Sequence, residues 1–559
     1  VVPDSADAFA LKFSAGDQTD SNAGKGYIFP AYQKPGQPVA GALASEALFY
    51  NGMGAHFLGL KPNPDTVLVL IKKDMTENHR ISNDWQGKYL IALLAAKKDS
   101  AYQTIQQQIG KMLGGDSLQE NDYMTAIYLY NRMKMTSRAD SLRQVTVRKY
   151  PHGFIQQQNM LGVLVKQKNV DSMVILFDRF KQEFSTSDPF SRTGNIESMM
   201  LSRIANAYAA QKEYGKVMQY GSLNPHKPSV ANMYNNIAWG LAQKGQDLSV
   251  ADTLSRAALD LLQQLIDHPA ENKPNEYTQE DWKKMQQASY GNYADTYGMI
   301  LAKQGKLSEA LTYQKKAVAL TGGNMPEINE RYGQYLVKAG DYATARKEIE
   351  KFYKTGKSTA KMQDYLRTAY EKQKGSDAGY AGYLSDLEMK ATAKIKKDLS
   401  AKMIDKTAPA FDLPDMKGNK VSLASLKGKV VVVDFWATWC GPCKASFPGI
   451  QKAVTQFKDD SDVVFLFVNT WERTKPDVRS RQVADFIRQH DYTFHVLMDQ
   501  PEQKDKTAFQ VVSAYGVSGI PTKFLIDPDG HIRFKLLGFD GNTEKEVKEI
   551  KVMVDMLKS

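Results

Sequence analysis

The chain has 559 residues, a formal net charge of +11 and ordinary shares of charged (24%) and apolar (42%) residues, which predicts a globular protein of three or four domains. Its lysines are spread among acidic residues and no arginine-aromatic stripe stands out, which favours a solvated surface over a nucleic-acid or membrane-surface site. No stretch approaches the roughly 18 consecutive apolar residues that a membrane helix needs.

The chain begins with Val1 and shows no hydrophobic signal segment. This fits a mature secreted protein from which a signal peptide has been removed, although a shortened recombinant chain would look the same.

The first 98 residues are rich in Gly, Pro and Asn. Their clearest apolar runs are "TVLVLIKKDM" (66–75) and "KYLIALLA" (88–95), and Pro-Gly and Asn-Pro turn signals accompany them. We interpret these runs as strands, so residues 1–98 are predicted to form a small β-sandwich-like domain. The segment contains no catalytic constellation, and its sequence does not indicate a ligand.

Residues 99–377 have little Pro and a helical periodicity, and two segments superimpose at an offset of 35 residues. The offset aligns Gly298 with Gly333, Leu301 with Leu336, Gly305 with Gly340, and Ala310 with Ala345. Small residues at such positions let the helices of a hairpin approach, and large ones fill the groove to the next hairpin. Residues 120–373 resemble a tetratricopeptide-repeat array, which implies either a concave partner-binding surface or a spacer.

A charged helix is predicted to link this array to the last domain, over residues 378–404. From residue 405 to 559, strands and helices alternate. This order predicts an α/β domain with a central sheet of parallel strands, helices on both faces and an antiparallel edge.

Both cysteines of the chain lie in "VVVVDFWATWCGPCKASFPGI" (430–450). Cys440 follows a buried strand and is predicted to begin a helix near Pro442. There, unpaired N–H groups and the helix dipole favour an anion, so a thiolate is expected at neutral pH. Such a thiolate attacks disulfides, and Cys443, one turn further along, is placed to resolve the mixed disulfide.

Two other interpretations of the pair are weaker. A structural zinc site would need two more ligands, and the eight histidines are scattered along the chain. A structural disulfide that encloses two residues would constrain the unfolded chain very little. The absence of any other cysteine suits an oxidising compartment, because no bystander thiol can form a mixed disulfide.

The motifs "VVDFWATWCGPCKASFP" and "SGIPTKFLIDPDG" resemble the thioredoxin superfamily. The lead-in from residue 408 narrows the resemblance to TlpA/ResA-type thiol-disulfide oxidoreductases over residues 405–559. It implies an enzyme of the periplasm or cell envelope with no metal and no cofactor beyond the Cys440–Cys443 disulfide. The implied partners are disulfide-containing envelope proteins and a membrane-delivered electron donor.

The resemblance assigns attack to Cys440 and resolution to Cys443. It implies that Trp439 shields the site, that Ile520 precedes a cis-proline, Pro521, whose neighbouring backbone pairs with substrate, and that Gly538 flattens the groove. The remaining positions assigned to substrate binding are Gly441 and Pro442.

Asp434 matches the buried acid of thioredoxin. A carboxylate in an apolar strand has a raised pKa, so it can accept and return the proton of the resolving thiol. The alternative is that Asp434 caps a turn at the strand end. Related ResA-type chains commonly carry Glu where this chain has Ser446, and they commonly lack the acid at position 434. Trp471 and Glu472 lie where the family carries an insertion, and they are predicted to line the substrate groove.

The Gly-Pro dipeptide between the cysteines is that of thioredoxin and indicates a reducing role. Three hypotheses follow. The first is a protein-disulfide reductase whose helical array recruits partners. The second is an interaction scaffold with a redox-sensing domain. The third is a peroxiredoxin-like peroxidase. It is ranked last because peroxidatic sites place a lone Cys after a Pro-x-x-x-Thr stretch, which is absent here.

Overall fold

A computed structural model divides the chain into two compact units, Val1–His226 and Lys227–Ser559. It describes residues 6–558 apart from 16–17, 21, 23–24, 35, 55–57, 59, 116–117, 185–187, 189–190, 271–272, 275–276, 473, 475, 503–508 and 540.

The predicted N-terminal β-sandwich is wrong. The described strands of this region are two to four residues long: β1 Ala8–Leu11, β2 Phe13–Ala15, β3 Gln18–Asp20, β4 Tyr27–Pro30, β5 Tyr32–Lys34 and β6 Gln37–Pro38. They pair only in twos, β1 with β4, β2 with β3 and β5 with β6.

The apolar runs interpreted as strands are helical. The first lies in a helix, Pro64–Glu77, whose N-cap Asn63 accepts a hydrogen bond from the Thr66 amide at 3.1 Å. The Asn-Pro pair therefore begins a helix, with Pro at its first position, instead of making a turn between strands. Val67 and Ile71 are buried four residues apart on one helix face, the spacing of a helix and not of a strand.

Helices account for most of the first unit, and neighbouring helices pack on one another. Their bounds are α1 Ala42–Leu48, α2 Pro64–Glu77, α3 Ser82–Lys97, α4 Tyr102–Met112, α5 Glu120–Arg132, α6 Thr136–Lys149, α7 Phe154–Lys166, α8 Val170–Glu183, α9 Arg192–Ala210 and α10 Tyr214–Leu223.

The helical character predicted for residues 99–377 is confirmed, and it continues into the second unit. The helices there are α11 Lys227–Lys244, α12 Leu248–Asp267, α13 Gln279–Lys303, α14 Leu307–Leu320, α15 Pro326–Lys338, α16 Tyr342–Lys354, α17 Met362–Lys374 and α18 Tyr380–Ser400. Each of α11 to α16 packs on the helix that follows it.

The glycines matched by the 35-residue offset have matching roles. A Cβ on Gly298 would lie 2.9 Å from the Gln314 Oε1 atom, and one on Gly333 would lie 3.1 Å from Ile349, so both positions allow close helix approach. Gly305 and Gly340 have positive φ angles, +81° and +78°, in the turns that follow α13 and α15. Equivalent positions therefore have the same two roles, close helix contact and a turn with positive φ, in α13–α14 and α15–α16.

The α/β architecture predicted for the C-terminal domain is confirmed. The strands are β7 Lys406–Thr407, β8 Asp412–Pro414, β9 Lys420–Ser422, β10 Val430–Trp436, β11 Val463–Asn469, β12 Val496–Met498, β13 Thr522–Ile526 and β14 His531–Leu537. One sheet has the strand order β12-β11-β10-β13-β14-β7, with β10, β11 and β12 parallel and β13, β14 and β7 antiparallel to their neighbours. The helices are α19 Gly441–Gln456, α20 Pro476–Gln489, α21 Gln510–Ala514 and α22 Thr543–Lys558.

The central strand β10 is buried along its whole length, as its sequence, apolar except for Asp434, predicts. Alternate side chains point to opposite faces of the sheet. Val432 and Trp436 share a hydrophobic core with Cys443 of α19 and with Ile550 of α22. Asp434 lies between Val432 and Trp436 in the same alternation, so it points to the face that α19 and α22 cover.

Candidate active site

Cys440 and Cys443 are joined in a disulfide at the beginning of α19. Cys440 is the N-cap residue, and its Sγ accepts a hydrogen bond from the Cys443 amide at 3.2 Å. Pro442 lies in the first turn, where its missing N–H leaves no intrahelical bond unmade. The Cys443 amide and the dipole of α19 are therefore directed at the sulfur of Cys440, which favours negative charge on that atom once the disulfide is reduced.

The pair is sheltered in this oxidised state. Cys440 is 3% exposed and Cys443 is fully buried, whereas Gly441 and Pro442 are exposed. Ser446, where related chains commonly carry Glu, is fully buried and donates a hydrogen bond to the Cys443 carbonyl at 3.0 Å. Position 446 therefore supplies no carboxylate to this site.

The loop before β13 approaches the disulfide from the other side. The Ile520–Pro521 peptide bond is cis, as predicted, and the Ile520 carbonyl oxygen lies 3.6 Å from Cys440 Sγ. Gly538, with φ +81°, donates its amide hydrogen to the Pro521 carbonyl at 2.8 Å. The structure thus brings together the predicted residues Cys440, Ile520, Pro521 and Gly538.

Trp439 forms the exposed border of the site. It is 45% exposed, and its indole Nε1–H donates a hydrogen bond to the Trp471 carbonyl at 2.9 Å. Trp471, which supplies this carbonyl, has a positive φ of +52°. The two tryptophans predicted for the site are therefore linked through this bond.

Glu472 does not line an open groove, which corrects the sequence-based prediction. The side chain is 8% exposed, and its carboxylate accepts hydrogen bonds from the Thr438 amide (2.6 Å), the Thr438 hydroxyl (3.0 Å) and Asn469 Nδ2 (2.9 Å). These hydrogen bonds hold the segment that precedes the cysteines in place. A carboxylate bound by three donors is a structural anchor for Trp439 and Cys440.

Sequence reasoning missed two residues beside this anchor, Arg479 and Gln482. Arg479 donates to the Asn469 side chain at 2.9 Å and to the Asp499 carbonyl at 2.6 Å. Gln482 donates to the Thr438 hydroxyl at 2.8 Å. A pocket of about 660 Å³ opens beside this contact and is lined by Thr438, Val478, Arg481, Gln482, Asp485, Phe486 and Gln489. The only available signal was the polar sequence of the insertion itself.

Asp434 is buried on the sheet face that α19 covers, so the interpretation of this residue as a turn cap is wrong. Burial raises its pKa to about 6, and the partly opposing cause is Lys523, whose Nζ lies 3.4 Å from the carboxylate. Lys523 also lies 2.9 Å from Glu546 of α22. Burial by itself would lower the pKa of Lys523, but the two carboxylates outweigh it and the net direction is upward. Sequence reasoning missed both Lys523 and Glu546.

Among the described residues, no three His, Cys, Asp or Glu side chains come together in a way that could hold a metal ion. In the same part of the chain, no helix combines the length and apolar composition needed to cross a membrane.

Known proteins resemble this chain over about a quarter of its length. The AhpC/TSA family matches residues 404–535. "Thiol-disulfide oxidoreductase ResA" of Bacillus cereus is 32% identical over 142 residues, which are 25% of this chain and 73% of the relative. The protein of the same name from Bacillus subtilis (strain 168) is 38% identical over 125 residues, 22% of this chain and 62% of the relative. The crystal structure of StoA from Bacillus subtilis aligns with 25% identity and a TM-score of 0.21, over 26% of this chain and 96% of that one.

Proposed function

Because the chain belongs to the ResA-type thiol-disulfide oxidoreductases, we propose that it reduces disulfides of other proteins outside the cytoplasm, with Cys440 and Cys443 as the reacting pair. One observation carries this proposal. The two cysteines are bonded to each other at the N-terminus of α19, and Cys440 Sγ receives the Cys443 amide hydrogen. A thiolate in that position is stabilised by the helix terminus and is a competent nucleophile.

The reaction begins from the reduced pair. The Cys440 thiolate attacks one sulfur of a substrate disulfide and forms a bond to it. The other substrate sulfur leaves with the bonding electrons as a thiolate, which takes a proton from solvent. The product of this step is a mixed disulfide between Cys440 and the substrate.

Cys443 completes the reaction. Its thiol gives a proton to the Asp434 carboxylate, and the resulting thiolate attacks Cys440 Sγ. The bond between Cys440 and the substrate breaks, and the second substrate sulfur leaves as a thiolate that takes up a proton. Two electrons have then passed from the cysteine pair to the substrate, and the pair is again the disulfide seen in the structure. A dithiol electron donor, delivered through the membrane, must reduce the pair for the next turnover.

The elements around Cys440 support a bound polypeptide substrate. The backbone of Ile520 and Pro521 runs beside the sulfur, and Gly538 has no side chain to obstruct an approaching strand. Trp439 presents an exposed ring at the border of the site, and Gly441 and Pro442 are exposed at the helix start. In this proposal a substrate segment lies along these residues with its disulfide at Cys440.

The same proposal assigns the helical array a recruiting role and places the protein in the periplasm or cell envelope. The absence of further cysteines among 559 residues supports an oxidising compartment, where spare thiols would be oxidised. The array resembles tetratricopeptide repeats, whose stacked hairpins offer extended surfaces to partners. If the array instead performs the essential function, the protein is a scaffold and the disulfide is a sensor.

Insulin reduction tests the enzyme hypothesis. With dithiothreitol as reductant, the full chain is expected to precipitate insulin B chain, and Cys440→Ser is expected to abolish this activity. In an envelope extract, Cys443→Ser is expected to hold partners as mixed disulfides, and the variant that lacks both cysteines is the matched control. A scaffold would show negligible turnover and would keep its partner complex in Cys440→Ser.

A further inference from the structure

A cluster of three charged side chains lies on the sheet face covered by the active-site helix. Asp434 of β10 lies directly opposite Lys523 of β13, and the two residues are 2% and 1% exposed. Glu546 of α22 reaches the same lysine and is 9% exposed. Lys523 Nζ is 2.9 Å from Glu546 Oε1 and 3.4 Å from Asp434 Oδ2, so the lysine is nearer to the glutamate.

We propose that Glu546 is the permanent counter-ion of Lys523, and that the two act as positioning residues that leave Asp434 able to gain and lose the proton of Cys443. This inference rests on the proton-acceptor role given to Asp434 under the proposed function. Neither Lys523 nor Glu546 needs to touch the substrate. Their effect is on the charge state of Asp434 at the moment when Cys443 becomes a nucleophile.

The charges explain why three groups are needed. With Asp434 and a lysine alone, a buried pair would hold the aspartate ionised, because protonating it would leave an unpaired buried ammonium group. Glu546 removes that constraint. The Lys523–Glu546 pair is neutral whether Asp434 is protonated or not, so a proton can enter and leave Asp434 without stranding the lysine. In keeping with this, Asp434 has no hydrogen-bond partner in the described part of the chain apart from its ion pair.

The backbone is shaped to bring Glu546 to this position. Gly449 of α19 is buried, and a Cβ there would lie 2.5 Å from Thr543 Cγ2 and 3.5 Å from Glu546 Oε2. The missing side chain allows α22 to lie against α19 just where its glutamate enters the core.

The other charged residues of α22 and α19 are not buried. On α22 only Glu546 among the charged residues is buried, and on α19 both Lys444 and Lys452 are exposed. Strand β11, which pairs with β10 on its other side, carries no charged residue. Among the described residues, the cation beside Asp434 is therefore Lys523, which also contacts Glu546, and Cys443 of α19 lies in the core on the same sheet face.

The test uses the reduced full-length chain and the aromatic disulfide 5,5′-dithiobis(2-nitrobenzoate). The first equivalent of thionitrobenzoate reports attack by Cys440, and the second reports resolution by Cys443. The rate of the second release, measured from pH 5 to 9, is expected to rise with pH as Asp434 loses its proton. We call this rise the pH limb. The pH at which it occurs is the quantity that Lys523 and Glu546 are inferred to set.

The two single variants are expected to move the limb in opposite directions. Glu546→Gln leaves Lys523 with Asp434 as its only counter-ion, so the limb should move about one pH unit lower. Lys523→Met removes the attraction that favours the ionised aspartate, so the limb should move about one unit higher. Glu546→Asp should restore most of the wild-type profile. The matched control is Glu544→Gln, on the same helix, which pairs at the surface with Lys452 and should leave the limb unchanged.

The outcomes separate the two claims. If wild type shows no first release, the proposed function fails. If both releases occur but neither variant moves the limb, or both move it the same way, the inference is overturned while the proposed function stands. If Lys523→Met fails to fold, the comparison of Glu546→Gln with Glu544→Gln still tests the inference. The inference requires the pH limb of Glu546→Gln to lie at lower pH than that of Glu544→Gln. A glutamate with only a structural role would lower stability without shifting the limb.

Discussion

Asp434 and Lys523 face each other on neighbouring antiparallel strands, with 3.4 Å between their charged groups in a site that solvent barely reaches. Although a cation is this close, the pKa of Asp434 is raised to about 6, because the loss of hydration outweighs the attraction of the lysine. The protein therefore holds an ionised aspartate at neutral pH at a cost in stability. That cost is measurable.

Asp434→Asn is expected to stabilise the domain at neutral pH, in a pH-dependent way. Well below pH 3.8 the carboxyl group is protonated in both the folded and the unfolded chain. As the pH rises from 3.8 to about 6, the unfolded chain loses its proton first and folded wild type loses relative stability. Above that range the full difference, about 3 kcal/mol, is present.

Hydrogen exchange of the β10 amides in the full chain measures this difference. We expect wild type and Asp434→Asn to match most closely at pH 4, and the variant to show slower corrected exchange at pH 8. A variant that exchanges faster than wild type at pH 8 would contradict the prediction. The same substitution should slow the release of thionitrobenzoate by Cys443 at pH 7 by about 100-fold, the usual size of a general-base contribution.

The two cysteines of the reduced chain should differ sharply in reactivity. The Cys440 sulfur accepts the Cys443 amide hydrogen at the N-terminus of α19, whereas Cys443 is fully buried. Iodoacetamide at pH 7 is therefore expected to alkylate Cys440 first, as mapped by peptide mass spectrometry. Equal labelling, or labelling of Cys440 only at the rate of a free cysteine in an unfolded peptide, would remove the basis of the proposed chemistry.

Glu472→Ala should loosen the segment that carries Trp439. The change leaves the Thr438 amide, its hydroxyl group and the Asn469 side chain without their shared acceptor, at a cost of about 2 kcal/mol. A lower thermal midpoint and slower insulin reduction are expected. Asp459→Ala, at an exposed position, is the matched control, and equal effects of the two substitutions would argue against an anchoring role.

Gly449→Ala should destabilise the contact between α19 and α22 by about 1–3 kcal/mol, because its Cβ would lie 2.5 Å from Thr543 Cγ2 and 3.2 Å from the Thr543 carbonyl oxygen. Gly240→Ala, within α11, meets no atom within 4 Å and should be neutral or stabilising through helix propensity. Urea midpoints of the two variants give the comparison. If both change stability alike, packing at Gly449 is not the cause.

Peroxide consumption distinguishes the peroxidase hypothesis from the disulfide-reductase hypothesis. The AhpC/TSA match leaves a peroxidase to be tested, but the site holds its two cysteines in one disulfide at a helix start. We expect the reduced chain to consume hydrogen peroxide no faster than ordinary thiols do, while it reduces insulin. Peroxide turnover that exceeds insulin reduction would favour the peroxidase.

Local patterns in the sequence were sufficient to predict the α/β fold of the last domain, the helices before it and the cysteine pair. The spacing of Cys440 and Cys443 after a strongly apolar strand predicted a redox pair at a helix start, because strand burial and helix capping depend on neighbouring residues. The repeated glycines predicted close helix contacts. The prediction for the N-terminal region was wrong because it also depended on local patterns that have two interpretations. Asn63 and Pro64 are typical of both a turn and a helix start, and the periodicity around Val67 and Ile71 was interpreted as that of a strand.

Tertiary structure alone decided which charges meet. Lys523 and Glu546 look like ordinary surface residues in the sequence, and only strand pairing and the close approach of α22 to α19 bring them to Asp434. Glu472, likewise, was expected in an open groove until the fold surrounded it with three donors. Burial and ion pairing depend on residues far apart along the chain, and these long-range terms set the charge state of the site.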